Sequence, residues 1–218
     1  MKVYFRDAHL SSYKFSSMRS TFLQKHIRFY DRWDFVFFTL LILLSVFNGE
    51  STVFYLIYFF WWNEAIRLLI DAFFIKRNPN IKIESTIKQL DFSSFFLMGI
   101  YFVFIVVFFG FIANFDNIDI MTTNMKILFF SNWFFNLNIL LVILERILLH
   151  RSKQAVTVYF GGFTPNMIIL HVSIIAGGVL MFFVVKQHQD IFTPANHWGS
   201  VIIVMPFILL KMLVPKFT

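Results

Sequence analysis

FSSFFLMGIYFVFIVVFFGFIAN, residues 92–114, is a largely apolar stretch without a single charged residue. A helix rises 1.5 Å per residue, so a stretch of this length spans the hydrocarbon core of a bilayer, about 30 Å thick. Few soluble domains contain such a segment, because nothing in their interior would require it. The stretch therefore predicts a membrane-spanning helix.

The composition of the whole chain agrees with this interpretation. Of 218 residues, 58% are hydrophobic and only 14% are charged. Soluble domains carry about a quarter charged residues, and disordered chains have low hydrophobicity, so both classes are excluded. The chain contains no cysteine, which excludes disulfides, thiol nucleophiles and thiolate metal sites.

Five further apolar segments are long enough, or nearly so, to cross a bilayer. The fold class predicted is an all-α polytopic membrane bundle of about six helices, with residues 30–218 as the transmembrane domain and residues 1–29 as a basic N-terminal segment. The six predicted spans are 30–48, 52–75, 92–114, 127–149, 164–185 and 198–215.

The distribution of Lys and Arg predicts the orientation. Seven precede the first apolar run, none lies in the first loop, and four lie in the second loop. The later loops continue this alternation as far as the fifth. Under the positive-inside rule both termini are cytoplasmic, which makes the chain a multipass protein of the cytoplasmic (inner) membrane.

The N-terminal segment has two interpretations. Drawn as a helix, it places Met18, Phe22 and Phe29 on one face, with Lys25 and Arg28 outside that face. This pattern is typical of an interfacial helix on anionic lipid headgroups. An irregular tether with ordinary positive-inside charge explains the same residues equally well.

The densest set of polar residues inside a predicted span follows Trp62. Asn63 and Glu64 come first, and Arg67 and Asp71 lie three and seven residues after Glu64. Glu64, Arg67 and Asp71 therefore share one helical face and can form a ladder of ion pairs. Ionisable groups are costly in lipid, so this face is expected to point into the bundle.

Asparagines and ionisable residues in the later spans are further candidates, and the ionisable ones are expected to converge with the ladder on one polar layer on the cytoplasmic side. His171 is expected to face the ladder, with Glu64 at the innermost point of the layer. The asparagines are more often hydrogen-bonding contacts between helices than ligands. The candidate residues of the later spans are Asn136, Asn138, Glu145, His171 and Lys211.

Simpler explanations compete for several of these positions. Lys211 and Arg146 lie near the interface, where their charged heads are expected to snorkel to water. His150 is placed at the interface. Gly177 and Gly178 indicate a close helix contact or a point of flexing.

Several motifs together resemble a family of uncharacterised prokaryotic multipass membrane proteins, a domain of unknown function. The most specific is His171-Val-Ser-Ile-Ile-Ala-Gly-Gly178, and weaker ones are the stretches 58–64, 159–163 and 209–211. The chain departs from the pattern in the order Asn63-Glu64 and in lacking an Asp soon after Lys211. The resemblance implies that Glu64, His171, the two glycines and Lys211 belong together, and it implies no known activity.

Three functions are compatible with these residues. A small ion- or proton-coupled transporter or channel is favoured, because ionisable groups inside a membrane commonly mark pathways. The alternative is a structural, sensory or accessory membrane protein that acts through a partner, since the loops are only about four to sixteen residues long and no HExxH, GxSxG or phosphate-binding loop occurs. An intramembrane enzyme is the least favoured.

The predicted partners are the bilayer itself, anionic headgroups at the N-terminal segment, and a second copy or another membrane protein. Nucleic acid is not expected, because the basic residues follow the topology rather than one compact face. No cofactor, metal site or catalytic residue is predicted.

Overall fold

The computed structural model describes residues 30–49, 51–75, 81–84, 92–151, 156–159, 164–188, 191–192 and 196–213. The amphipathic helix predicted within residues 1–29 lies outside these ranges. The described chain is an all-α bundle, as the composition predicts, with one short two-stranded sheet in addition.

Within these ranges, seven helices make up the bundle. Two of them continue past their α-helical part, α3 into the turns 105–114 and α6 into the turn 181–185. The helices are α1 (Tyr30–Phe47), α2 (Val53–Ile75), α3 (Phe92–Phe104), α4 (Ile118–Leu128), α5 (Trp133–Arg151), α6 (Pro165–Leu180) and α7 (His197–Leu213).

Four helical stretches are long and apolar enough to span a membrane: Val53–Ile75, Phe92–Asn114, Ile118–Arg151 and Met167–Val185. The apolar parts of α1 and α7, Phe35–Phe47 and Trp198–Met212, are shorter. Each of the six predicted spans therefore corresponds to a helix, and four of them reach full spanning length among the described residues.

The fourth predicted span, 127–149, does not begin as expected. Helix α4 ends at Leu128, the chain turns with Phe130 at φ 56°, and α5 begins at Trp133. Asn132 starts the new helix, because its side-chain oxygen accepts the backbone N–H of Phe135 at 2.8 Å. The residues on both sides of this helix break are apolar, so the hydropathy pattern shows one continuous span and not two helices.

Helix α2 is the central helix of the bundle. Of its most apolar window, 72% is buried, compared with 28–39% in the other three spanning stretches. It packs against α3, α4, α5, α6 and α7, while α1 packs against α5 and α7. A helix that is apolar on nearly every side must be surrounded by other helices, and the run Val53–Phe60 is buried at every position.

Two helices contain π-helical turns at one end of the bundle. Ile105–Phe111 continues α3 in π geometry and ends in a 3₁₀ turn, Ile112–Asn114. Met181–Val185 continues α6 in the same way. A π turn shifts the helix register by one residue and changes which carbonyl oxygens remain available, and such turns are frequent at functional sites.

At the other end of the bundle, two four-residue strands pair in parallel. β1 (Ile81–Glu84) follows α2 and β2 (Val156–Tyr159) follows α5, with Ile81 opposite Val156 and Glu84 opposite Tyr159. Because each strand follows a long apolar helix, the pair connects the ends of α2 and α5. The all-α prediction did not include this sheet.

Candidate functional site

The ladder on α2 is present and buried. Arg67 donates from Nε to Glu64 Oε2 at 2.8 Å and from Nη2 to Glu64 Oε1 at 2.5 Å. Its Nη1 also donates to Asp71 Oδ2 at 3.2 Å. All three side chains face the interior, as their spacing of three and four residues predicts.

Helix α5 contributes two residues that the sequence did not assign to the site. Arg146 binds Asp71 through two hydrogen bonds, Nε to Oδ1 at 2.7 Å and Nη2 to Oδ2 at 2.6 Å. His150 Nε2 lies 2.6 Å from Asp71 Oδ1. The prediction that Arg146 snorkels is therefore wrong, because its guanidinium group points inward to a buried carboxylate. His150 is buried against the same carboxylate, and its depth in the membrane stays a prediction.

Helix α6 is joined to the ladder at its first turn. The Thr164 hydroxyl donates to Glu64 Oε1 at 2.8 Å and accepts the backbone N–H of Met167 at 3.2 Å. Thr164 is thus the N-cap of α6, just before Pro165, and it also donates a hydrogen bond to Glu64. We call Glu64, Arg67, Asp71, Arg146, His150 and Thr164 the ionic cluster.

Every carboxylate oxygen in the ionic cluster accepts at least one hydrogen bond. Glu64 uses Arg67 and Thr164, and Asp71 uses Arg67, Arg146 and His150. The two carboxylates balance the two guanidinium groups in charge. Buried charges are tolerated when they are paired and fully hydrogen-bonded in this way.

His150 is held in place by an aromatic neighbour as well. Its ring lies parallel to that of Phe74 on α2, with centroids 4.9 Å apart and an interplanar angle of 1°. The stacking and the contact with Asp71 leave the imidazole buried against α2. These contacts join the C-terminal end of α5 to the C-terminal end of α2. β1 follows α2 and β2 follows α5 in the chain.

His171 is not part of this cluster. It is exposed on α6, and its Nδ1 lies 3.0 Å from the Tyr101 hydroxyl on α3. The prediction that it faces the ladder is wrong. The sequence predicted only the depth of His171, whereas the direction in which the ring points depends on how α6 is rotated about its axis, and depth carries no information about rotation.

The predicted asparagines serve different local roles. Asn138 is buried and donates to the Tyr55 hydroxyl at 3.0 Å, which joins α5 to α2. Asn136 is half-buried and donates to the carbonyl of Phe130 at 2.6 Å, which stabilises the turn before α5. Asn63 is half-buried on α2. The structure thus places one of the three in a contact between helices.

The two remaining charged candidates lie on α5 and α7. Glu145 is half-buried on α5. Lys211 is buried on α7, and its Nζ lies 5.5 Å from the centroid of the Phe38 ring on α1. The prediction that Lys211 snorkels is wrong, because the packing of α1 on α7 encloses its ammonium group.

The two neighbouring glycines differ. A Cβ at Gly177 would overlap Cδ1 of Ile57 and lie 3.2 Å from Cγ1 of Val53, so α6 can approach α2 closely only without a side chain there. A Cβ at Gly178 would meet nothing within 4 Å. The predicted close contact is therefore confirmed for Gly177 and wrong for Gly178.

An aromatic layer separates the ionic cluster from the opposite end of the bundle. Tyr58 is its centre, stacked on Phe54 at 5.1 Å, on Phe135 at 5.4 Å and on Trp61 at 6.0 Å between ring centroids. The Trp61 indole donates to the carbonyl of Met98 at 2.8 Å. The layer is packed by ring contacts rather than by charges.

A second polar group lies beyond this layer, at the end where α2 begins. It consists of Ser51, Thr52, Asn114, Asn124 and Ser200, all buried and uncharged. We call these five residues the neutral cluster. No sequence pattern indicates this cluster, since its residues come from four separate parts of the chain and none of them is ionisable.

Asn124 organises the neutral cluster. Its Oδ1 accepts the Thr52 hydroxyl at 2.8 Å, and its Nδ2 lies 3.3 Å from the Phe109 carbonyl and 3.4 Å from the Gly110 carbonyl. Asn114 Nδ2 donates to the same Phe109 carbonyl at 2.7 Å. These donors satisfy carbonyl groups in the π-helical turn of α3.

Two small cavities border the neutral cluster, each of about 20 Å³. They share four lining residues, Asn114, Ile120, Met181 and Val185. A cavity of 10–15 Å³ or more can hold one water molecule. Each cavity is therefore of the size of one water molecule.

Comparisons of the chain with protein-family models, with curated proteins and with solved structures give no match. The resemblance to an uncharacterised membrane family stays a prediction. Within the described ranges, no group of three or more His, Asp or Glu residues is placed to hold a metal ion.

Proposed function

We propose that the chain is a multipass protein of the cytoplasmic membrane that acts as a structural or accessory subunit through a membrane partner. In this proposal the ionic cluster locks α2, α5 and α6 together on the cytoplasmic side. The observation that carries it is the complete pairing of the two carboxylates of the ionic cluster, which leaves neither Glu64 nor Asp71 an oxygen without a donor.

The proposed orientation rests on the distribution of Lys and Arg. It can be tested with single cysteines, because the chain has none of its own. Asn48→Cys lies in the turn after α1 and Arg151→Cys at the end of α5, and both positions are exposed. A membrane-impermeant maleimide added to intact cells is expected to label the first and not the second, and the reverse pattern would overturn the orientation.

A shallow depression on the outer face of α3 supports the contact with a partner. It is open, apolar and lined by α3 residues on both sides of Gly99, among them Phe96, Ile100 and Val103. A Cβ at Gly99 would meet nothing within 4 Å, so this glycine is not required by packing within the chain. Small residues at such positions allow two membrane helices to approach closely.

The test compares two substitutions on exposed helix faces. Gly99→Leu fills the depression on α3, and Val36→Leu adds a methylene on α1 at a position that is also exposed. After mild solubilisation, a protein that co-purifies with the unchanged chain is expected to be lost with Gly99→Leu and retained with Val36→Leu. Equal retention with both variants would contradict the proposed face.

A second experiment tests whether the ionic cluster only holds the helices together or whether its individual charges are needed for function. The double variant Asp71→Asn/Arg146→Gln removes one negative and one positive charge and keeps polar groups at both positions. As a lock, this cluster is expected to tolerate the change with the partner still bound. Loss of binding in a variant that remains folded would contradict the lock.

Transport remains the second candidate, and one observation favours it. Both π-helical turns and both small cavities lie together at the end that is proposed to be external. Purified protein in liposomes would then pass protons, and Glu64→Gln would reduce the flux. Proton flux equal to that of empty liposomes would exclude this candidate.

A further inference from the structure

One residue of the neutral cluster, Ser51, has a hydroxyl group without a hydrogen-bond partner among the described protein atoms. The Ser51 hydroxyl is buried, with the residue 4% exposed, and within the described part of the chain it has no hydrogen-bond partner. Ser51 lines the first of the two cavities together with Thr52, Asn114 and Ser200. Buried hydroxyls in proteins are almost always hydrogen-bonded, so this group indicates a missing partner.

The size of the cavity limits what that partner is. About 20 Å³ admits one water molecule and excludes organic solutes. A buried water molecule needs two to four polar neighbours, and Ser51, Asn114 and Ser200 provide polar side chains around the same space.

The uncharged lining of the first cavity favours water over a cation as the bound species. The described residues that line the first cavity include no charged side chain. Asp116 lines only the second cavity, where Lys186 lies on the same wall. A cation in the first cavity would therefore be buried without a counter-charge, which is strongly unfavourable.

We propose that the neutral cluster is a water-binding site, with one ordered water molecule bound to Ser51 in the first cavity and a second in the adjoining cavity beside Asp116. The two cavities are adjacent, since both are lined by Asn114 and Met181. Phe54 and Phe109 form apolar parts of the wall of the first cavity.

Two methionines allow a matched measurement. Met181 lines both cavities, and Met98 does not line either of them, yet each residue is 4% exposed. Hydroxyl radicals made by X-ray pulses oxidise methionine next to bound water, so Met181 is expected to form sulfoxide at least about three-fold faster than Met98. Equal rates would overturn the proposal.

Two serine variants test whether the first cavity is responsible. Ser51 and Ser45 are both buried with hydroxyl groups that have no partner among the described residues, but of the two only Ser51 lines the first or the second cavity. Ser51→Val fills the first cavity and is expected to slow oxidation of Met181 about two-fold, because the second cavity remains, while Ser45→Val leaves the rate unchanged. If both variants change it equally, the site is not at Ser51.

A cation is the competing occupant, and a separate measurement identifies it. The melting temperature of the unchanged protein is expected to be the same in sodium chloride, potassium chloride and choline chloride. A rise that is specific to sodium or potassium and absent in Ser51→Val would replace water by that cation. These outcomes do not depend on whether the chain acts through a partner or as a transporter.

Discussion

The two ends of the bundle hold polar groups in different ways. In the ionic cluster, charged side chains from α2 and α5 balance one another and every carboxylate oxygen has a donor from the protein. In the neutral cluster, one hydroxyl has no described partner and two cavities of water size adjoin the site. A buried charge needs compensation from the protein itself, whereas a neutral polar group can use a single water molecule.

The largest expected effect comes from removing the carboxylate shared by three partners. Asp71→Asn leaves Arg67 and Arg146 with only Glu64 to balance them, so we expect the free energy of unfolding to fall by about 3–5 kcal/mol. The measurement is denaturant titration in detergent micelles. Asp119→Asn, at an exposed position on α4, is the control and should change it little. A loss below about 1 kcal/mol in Asp71→Asn would show that the charges are not coupled.

The neutral cluster should be more tolerant of losing its central residue. Asn124→Leu removes the acceptor of the Thr52 hydroxyl and a donor to the Gly110 carbonyl, with an expected cost of about 1–3 kcal/mol. The same titration measures it, with the exposed Asn48→Leu as the control. A loss as large as that of Asp71→Asn would remove the distinction between charged and neutral burial.

Substitutions at Gly177 and Gly178 test the contact between α2 and α6. This contact extends from the ionic cluster towards the neutral cluster. Gly177→Ala forces a methyl group against Ile57 and is expected to cost about 1–3 kcal/mol. Gly178→Ala meets nothing and is expected to stabilise the helix by up to about 1 kcal/mol, because alanine is the better helix former. The two melting temperatures should therefore move in opposite directions. If both fall equally, the close approach at Gly177 is not specific.

The smallest effect is expected at two neighbouring hydroxyl groups. Ser51→Ala removes a hydroxyl that is proposed to bond only to water, and it should change the free energy of unfolding by less than about 0.5 kcal/mol, because releasing the ordered water offsets the lost bond. Thr52→Val removes the bond to Asn124 and the cap on the Tyr55 N–H, and should cost about 0.5–2 kcal/mol. A larger loss at Ser51 than at Thr52 would mean that Ser51 has a protein partner.

Residues close together on one helix were predictable from spacing. Glu64, Arg67 and Asp71 pair as expected, because neighbours three and four apart on a helix always lie on the same side. Thr164 also had a signal, since Thr followed by Pro165 is typical of a helix start. The sequence could not indicate that its hydroxyl would reach Glu64 on another helix.

For residues on different helices, the sequence predicted a depth but not the direction of the side chain. Arg146, His150 and His171 were all placed near the cytoplasmic side, but Arg146 and His150 point towards Asp71 and His171 points away from it. The inner face of a helix shows in the sequence only where one side is clearly more apolar than the other, and these spans are apolar on nearly all sides. Rotation of α5 and α6 about their axes was therefore not visible in the pattern.

The amino-acid sequence by itself determined that the chain is a bundle of long apolar helices and that one central helix carries a ladder of charges, because hydrophobic length and helical spacing are local properties. The tertiary structure alone decided which charges complete the ladder, where α3 and α6 change to π geometry, and which end leaves room for water. Those features depend on helix rotation and on contacts between distant residues such as Thr52 and Asn124, and a local pattern does not encode them.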